Sequence, residues 1–218
     1  AVGFSRWKKP IVRDYLQGST VRFVRRSEKA PEDGTLVVWG HRHREETRPV
    51  VRLEDAFLRS VGLGADLIRP LSWVMDRRGL YYDPTAPSEL EHLLQTTEFS
   101  ADLEARAQRL RERIVEQGLT KYNVGSSGWR RPEGASRVIL VPGQVESDAS
   151  IRYGAPGIRA NMDLLQAVRK ANPSAYVIYK PHPDVVAGLR KKGEGEDEAV
   201  RSCNEVVIDI AMGELLTV

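Results

Sequence analysis

Lys180-Pro-His182-Pro-Asp184 sets an ammonium and an imidazole two residues apart on a backbone stiffened by two prolines. Such a pair suits an anion. The lysine brings a compact positive charge and the histidine a directed N–H, so together they can hold a phosphate or stabilise one that departs. Gln144-Val-Glu146-Ser-Asp148-Ala-Ser150-Ile-Arg152 supplies a second set, in which two carboxylates, two hydroxyls and an amide follow a Pro-Gly bend. A carboxylate there can serve as nucleophile or base if the chain before it is rigid. The same residues also suit a polar loop whose acids cap the next helix, and Asp184 suits the N-cap of a helix after a rigid turn. Glu54-Asp55 with Arg59 forms the third set, either a charged cluster facing a cleft or a capped helix with an i,i+4 pair worth a few tenths of a kcal/mol. Two acids in separate domains facing one cleft would meet the demand of glycosyl chemistry for a nucleophile and an acid/base partner.

Positioning falls to the elements around these sets. Val138–Val141 and Tyr176–Tyr179 are short runs of branched and aromatic residues that break at proline, as buried parallel strands do. In open α/β sheets ligands sit beyond the carboxyl ends of such strands. A helix from about 160 to 170, striped by Met162, Leu165 and Val168, separates them. A second helix over 184–191 and a strand at Val206–Ile210 follow, which gives β-α-β-α-β order and a parallel sheet. Upstream, Val21–Val24, Thr35–Trp39 and Val50–Arg52 read as strands, with a short helix opening at Asp55. Leu71–Val74 and Gly79–Tyr82 read as a hairpin around Asp76. Helices are expected after Pro87-Ser88, with Leu90, Leu93 and Leu94 on one side, and after Ser100, with Leu103, Ala107, Leu110 and Ile114 as its apolar face. Gly125–Gly134 reads as a linker, dividing the chain into domains at 1–124 and 135–218. Gly193–Glu198 reads as a solvated acidic loop.

Composition narrows the classes. With 29% charged and 41% hydrophobic residues the chain is an ordinary globular one, and a net charge of +3 favours anionic ligands without implying nucleic acid. No stretch approaches the roughly 18 apolar residues of a spanning helix, and the first residues do not read as a signal peptide. Cys203 is the only cysteine, so an internal disulfide is excluded, and a reducing cytoplasm fits. No zinc-like spacing surrounds His182, and His41 and His43 lie in a charged run, so no metal is expected. The sequence starts without Met and stops at Leu215–Val218 within what looks like a starting strand, so a longer parent is expected.

Six stretches, in order along almost the whole chain, resemble the capsular polysaccharide synthesis proteins that act as retaining β-Kdo glycosyltransferases. They are Phe4-Ser-Arg-Trp-Lys8, Leu53-Glu-Asp-Ala-Phe-Leu-Arg-Ser-Val-Gly-Leu-Gly64, Leu71-Ser-Trp73, Gly79-Leu-Tyr-Tyr-Asp83, Val141-Pro-Gly-Gln-Val-Glu-Ser-Asp-Ala-Ser-Ile151 and Tyr179-Lys-Pro-His-Pro-Asp184. The resemblance implies a GT-B-like α/β fold of two Rossmann-like domains. It implies transfer of Kdo from CMP-Kdo to a lipid-linked oligo-Kdo chain in the cytoplasm, with no metal or resident cofactor. Association with capsule export machinery and peripheral contact with the inner membrane are compatible with it. By position in the motifs, Asp148 is the expected nucleophile and Glu54 or Asp55 the acid/base, with Glu54 preferred. Lys180 and His182 are expected at the cytidylate phosphate, with Gln144 and Ser150 also on the donor. Arg59 or Arg152 is our own choice for the Kdo carboxylate. Ser147-Asp148 stands where the family usually shows Asp-Asp, and Ala56 where glycine is common. Family members continue past 218 with further nucleotide-binding segments. Another GT-B-like nucleotide-sugar enzyme and a non-catalytic glycan-binding module are the alternatives.

Overall fold

The computed structural model describes residues 1–43 and 45–216. They divide into two compact units, Ala1–Arg59 with Arg69–Phe99, and Ser60–Ile68 with Ser100–Val218. The residues 125–134 lie in the second unit, where Trp129 packs against its core and Ser126 bridges Ile210.

In the first unit, helix α1 (Lys8–Tyr15) precedes strands β1 (Leu36–Trp39), β2 (Val50–Asp55) and β3 (Trp73–Asp76), and helix α2 (Glu89–Thr96) closes it. β1 and β2 pair in parallel, while β3 runs antiparallel to β2. Alternation along the strands makes both faces apolar, since successive side chains point opposite ways. Leu36 and Val38 pack with Val2 on one face, and Val51 and Leu53 pack with Phe4 and Val12 on the other. Val21–Val24 is not a strand and makes a single bridge from Val24 to Val2. Gly79–Tyr82 forms no second hairpin arm: the Asp76 carboxylate accepts from the Arg78, Gly79 and Glu89 backbone N–H groups and folds this segment into turns. Nor does a helix open at Asp55, which ends β2 instead.

The second unit contains α3 (Ala101–Glu116), β4 (Val138–Pro142), α4 (Ala149–Gly154), α5 (Asn161–Ala171), β5 (Tyr176–Lys180), α6 (Pro183–Val186), β6 (Glu205–Val206) and α7 (Met212–Leu215). The three strands pair in parallel in the order β4-β5-β6, with Val138 beside Tyr176 and Pro142 beside Lys180. One face packs Val141, Val177 and Tyr179 under Leu165 of α5; the other packs Ile178 with Val207 and Leu215. The mixed α/β class with parallel pairing matches expectation. Both helices expected from Ser88 and Ser100 form with those hydroxyls as N-caps, accepting from Glu91 N and Leu103 N. α3 nevertheless buries none of its residues, and Leu103 and Leu110 stay exposed. The helix expected over 184–191 is one turn long, because the Leu189 and Arg190 N–H groups bond back to the Asp184 carbonyl. Leu215 ends a helical turn rather than starting a strand, and Thr217 and Val218 lie outside the described residues.

Leu165 is fully buried at the centre of the larger sheet face. Leu165→Ala removes three carbons from a site flanked by strands on one side, and is expected to cost about 3 kcal/mol. Urea unfolding followed by circular dichroism measures it.

Candidate functional site

Parallel pairing decides what meets at the carboxyl edge of the second sheet. Pro142 and Lys180 are register partners, and the Gly143 N–H donates to the Lys180 carbonyl at 2.7 Å. The chains that leave β4 and β5 therefore part at the same level. A Cβ on Gly143 would fall 2.7 Å from the Tyr179 hydroxyl, so only glycine fits that step. Beyond it lies a cavity of about 400 Å³ whose lining includes Lys121, Tyr122, Gln144, Lys180, His182 and Asp209.

His182 caps α6, and its Nδ1 accepts the Asp184 N–H at 3.1 Å. Asp184 is thus inside the first turn rather than the cap, and its Oδ1 has no hydrogen-bond partner among the described residues. With Nδ1 committed as an acceptor, the neutral ring carries its proton on Nε2. Burial lowers the imidazole pKa, Asp184 opposes that, and Lys121 reinforces it. The ring is consequently a neutral, oriented N–H donor at neutral pH. Lys180 is almost wholly buried, with its ammonium donating to the Ile208 carbonyl at 3.0 Å. Burial lowers its pKa, while Asp209 opposes that.

The loop after β4 is clamped by a residue the sequence reading passed over. Asn161 Oδ1 accepts from Gln144 N at 2.8 Å, and its Nδ2 donates to the Gln144 carbonyl at 2.8 Å and to Glu196 Oε1 at 2.6 Å. Its own N–H donates to Glu146 Oε1 at 2.8 Å. Glu196 belongs to the segment expected to be solvated but is 5% exposed. A Cβ on Gly193 would overlap both carboxylates, so a glycine is needed where they converge. An asparagine at the very start of an apolar-striped helix, and an acid directly after a glycine, were the only traces in the sequence.

Asp148 N-caps α4. Its Oδ1 accepts from Ser150 N at 3.0 Å and Ser150 Oγ at 2.9 Å, while Oδ2 lies 3.7 Å from Arg190 Nη2. The side chain is 46% exposed. Asp148 also acts electrostatically on His182, opposing the lowering of its pKa by burial. It does not line the cavity that gathers Gln144, Lys180 and His182. Ser150 is occupied with Asp148, and Arg152 is exposed, with its guanidinium 5.5 Å from the Tyr153 ring.

In the first unit, Glu54 and Asp55 end β2. Glu54 Oε1 accepts from Asp55 N at 2.9 Å, and Oε2 accepts from the Tyr82 hydroxyl at 3.1 Å. A Cβ on Gly40, which has φ of 56°, would stand 3.3 Å from that same oxygen. Burial raises the Glu54 pKa; the Asp55 N–H bond, Tyr82 and Lys8 oppose it. Arg59 is 2% exposed, and its Nε lies 2.8 Å from Asp55 Oδ2, so the i,i+4 pair exists without a helix and is buried rather than solvated. Arg59 is thereby tied to Asp55 instead of extending toward a ligand. Lys8 stands with its ammonium 3.0 Å from the Trp39 ring centroid, and burial lowers its pKa to about 8 against the pull of Asp55 and Glu54.

Among the described residues no group of three or more His, Cys, Asp and Glu is placed to hold a metal ion, and no helix is long and apolar enough to cross a membrane.

Two α/β units, one carrying a cation-lined cavity at the carboxyl edge of parallel strands, place the chain in the GT-B-like class. Residues 39–197 match the family described as "Capsule polysaccharide biosynthesis protein", and the chain belongs to it. It is 41% identical over 218 residues to the capsule polysaccharide modification protein LipA of Neisseria meningitidis, an alignment spanning 94% of this chain and 31% of that protein. It is 37% identical over 236 residues to the lipopolysaccharide-processing protein LpsZ of Rhizobium meliloti, spanning 98% of this chain and 53% of that protein. Two solved structures of Thermosulfurimonas dismutans KpsC are similar. The beta Kdo 2,4 transferase superposes with a TM-score of 0.81 at 31% identity, covering 99% of this chain and 70% of that one. The beta Kdo 2,7 transferase superposes with a TM-score of 0.72 at 34% identity, covering 94% and 65%. The chain thus spans 31% of LipA and 53% of LpsZ, well short of either relative's length.

Lys8 titrates at about 8 in the folded chain against an ordinary value of 10.5. Below about pH 8 both folded and unfolded states hold the proton and the burial penalty is fully present. Between about 8 and 10.5 the unfolded state binds more protons, so stability attributable to Lys8 rises with pH. NMR titration of ¹³C-methylated lysines is expected to find one resonance near pH 8, absent in Lys8→Met; a Lys8 midpoint near 10.5 contradicts it.

Proposed function

We propose that the chain is a retaining β-Kdo glycosyltransferase module, taking Kdo from CMP-Kdo and passing it to a lipid-linked oligo-Kdo acceptor in capsule polysaccharide biosynthesis. The observation that carries this reading is the convergence of Lys180, a neutral His182 with its Nε2–H available, and Gln144 on one cavity at a parallel sheet edge. It is supported by family membership and by similarity to the two KpsC transferases. A cytoplasmic location, peripheral on the inner face of the inner membrane and near the capsule export machinery, follows from the acceptor. The chemistry calls for no metal, resident cofactor or nucleic acid.

In the proposed first step Asp148 Oδ2 attacks the anomeric carbon of Kdo. The bond from that carbon to the cytidylate oxygen breaks, and its electron pair leaves on the phosphate. His182 donates to that phosphate and Lys180 offsets its charge, which lowers the barrier because both groups are placed before charge develops. Ser150 fixes Asp148 through Oδ1, leaving Oδ2 as the reactive oxygen. In the second step an acceptor hydroxyl gives up its proton to a base and attacks the same carbon, and Asp148 departs; two displacements preserve configuration. Glu54 suits the base, since burial raises its proton affinity, and Asp55 with Arg59 braces it. Arg152, exposed one turn beyond Asp148, is the arm for the Kdo carboxylate.

In the complete natural polypeptide, Asp148→Ala is expected to cut Kdo transfer by about 10³-fold or more while leaving the thermal melt within a few degrees. Undiminished transfer removes the nucleophile. His182→Ala is expected to weaken CMP binding by roughly 10- to 100-fold in calorimetry, the range of a hydrogen bond to a charged group. UDP binding more tightly than CMP points instead to another nucleotide-sugar enzyme, and glycan binding without CMP-Kdo turnover points to a non-catalytic module.

A further inference from the structure

Phe57 stands three residues after Glu54 and is 59% exposed, although its backbone is held in place. The Asp55–Arg59 ion pair spans it, the Arg59 carbonyl accepts from Leu71 N at 2.7 Å, and the Ser72 hydroxyl donates to the Leu58 carbonyl. A large apolar ring kept in water on a pinned segment contributes little to a core, and here it adjoins polar, oriented groups, the combination that lines ligand sites. Phe57 is the outer member of a row. Its centroid lies 5.1 Å from that of Tyr81, Tyr81 meets Tyr82 edge-on at 5.2 Å, and Tyr82 contacts His41 at 5.4 Å. The row is tied to the acid pair at two points, by the Tyr81 hydroxyl on the Asp55 carbonyl at 3.1 Å and the Tyr82 hydroxyl on Glu54 Oε2 at 3.1 Å.

We infer that Phe57 and Tyr81 form a stacking platform for one pyranose ring of the acceptor glycan, the ring that presents its hydroxyl to Glu54. A pyranose has an apolar C–H face, which an exposed aromatic ring covers, and a rim of hydroxyls, which the adjoining carboxylate and phenols satisfy. The inference rests on the transferase reading above and deepens it by assigning the acceptor side to a surface of the first unit. Ring stacking without a directed bond gives orientation rather than chemistry, so the platform acts on acceptor affinity and leaves the donor alone.

The test uses the complete natural polypeptide, CMP-Kdo and a soluble oligo-Kdo acceptor. Phe57→Ala is expected to raise the acceptor KM about tenfold with kcat and donor KM within twofold, and Phe57→Trp to restore it to within threefold. An unchanged acceptor KM in Phe57→Ala overturns the platform while leaving the transferase reading intact. A fall in Tm with unchanged KM does the same, because it shows that Phe57 packs against protein. If the wild type turns over no CMP-Kdo, the transferase reading fails first. Saturation-transfer NMR with the same oligo-Kdo then decides the platform separately: transfer present in the wild type and lost in Phe57→Ala supports it, and equal transfer in both, or none in the wild type, overturns it.

Discussion

The register of β5 against β4 is the constraint from which the rest of the second unit follows. Because the two strands are parallel and end together at Pro142 and Lys180, one sheet edge receives both outgoing chains. Parallel pairing requires a covering helix, and α5 supplies it with Leu165 and Met162 on the sheet. That helix also starts with Asn161, so the element that buries the sheet and the residue that clamps the Gln144 loop are one and the same. A slip of one residue would exchange Val177 and Tyr179 for their neighbours on the covered face and would separate Gln144 from Lys180 together.

Both units keep charges in places where water is scarce, and each charge is tied down differently. Lys180 is tied to a backbone carbonyl, Arg59 to Asp55, and Lys8 to an indole face within the field of two acids. Burial of an ionised group is unfavourable unless it is paired or hydrogen-bonded, and each of these groups has such a partner. The shifts run consistently with that logic: burial depresses the cations Lys8, Lys180 and His182 and raises the acid Glu54. A neutral His182 beside a partly desolvated Lys180 is a weaker attractor for bulk anions than two full charges. It is nonetheless a well-directed one for a phosphate that brings its own charge.

What could be read in the sequence depended on whether the signal was local. β4, β5 and α5 are dense, periodic segments with proline or glycine at their ends, and they lie within a residue or two of expectation. The Ser88 and Ser100 caps were equally local. The misses have a common cause in tertiary context. Val21–Val24 has strand composition but among the described residues makes only the one bridge to Val2, and Gly79–Tyr82 has strand composition but sits where Asp76 takes the backbone N–H groups. α3 has a helical apolar stripe, yet periodicity does not say whether anything packs on it. The chemistry-bearing segments around Glu54, Gln144 and His182 stood out through residue type. Asn161, Glu196 and Lys8 did not, because what makes them important is a partner 15 or more residues away, or burial, and neither is written in composition.

In the proposed mechanism Asp148 is both the α4 cap and the nucleophile, and the two descriptions are compatible. A carboxylate that accepts two bonds from Ser150 through Oδ1 has its plane fixed, and with it the direction of Oδ2. A nucleophile needs that fixity, since a misplacement of about 1 Å costs roughly 100-fold in rate. The cap in turn sits on a loop that Asn161 holds at Gln144 and Glu146, so the direction of Oδ2 is set by α5 and by the Glu196 segment rather than by the loop's own stiffness. Arg190, 3.7 Å from Oδ2, partly compensates that oxygen's charge.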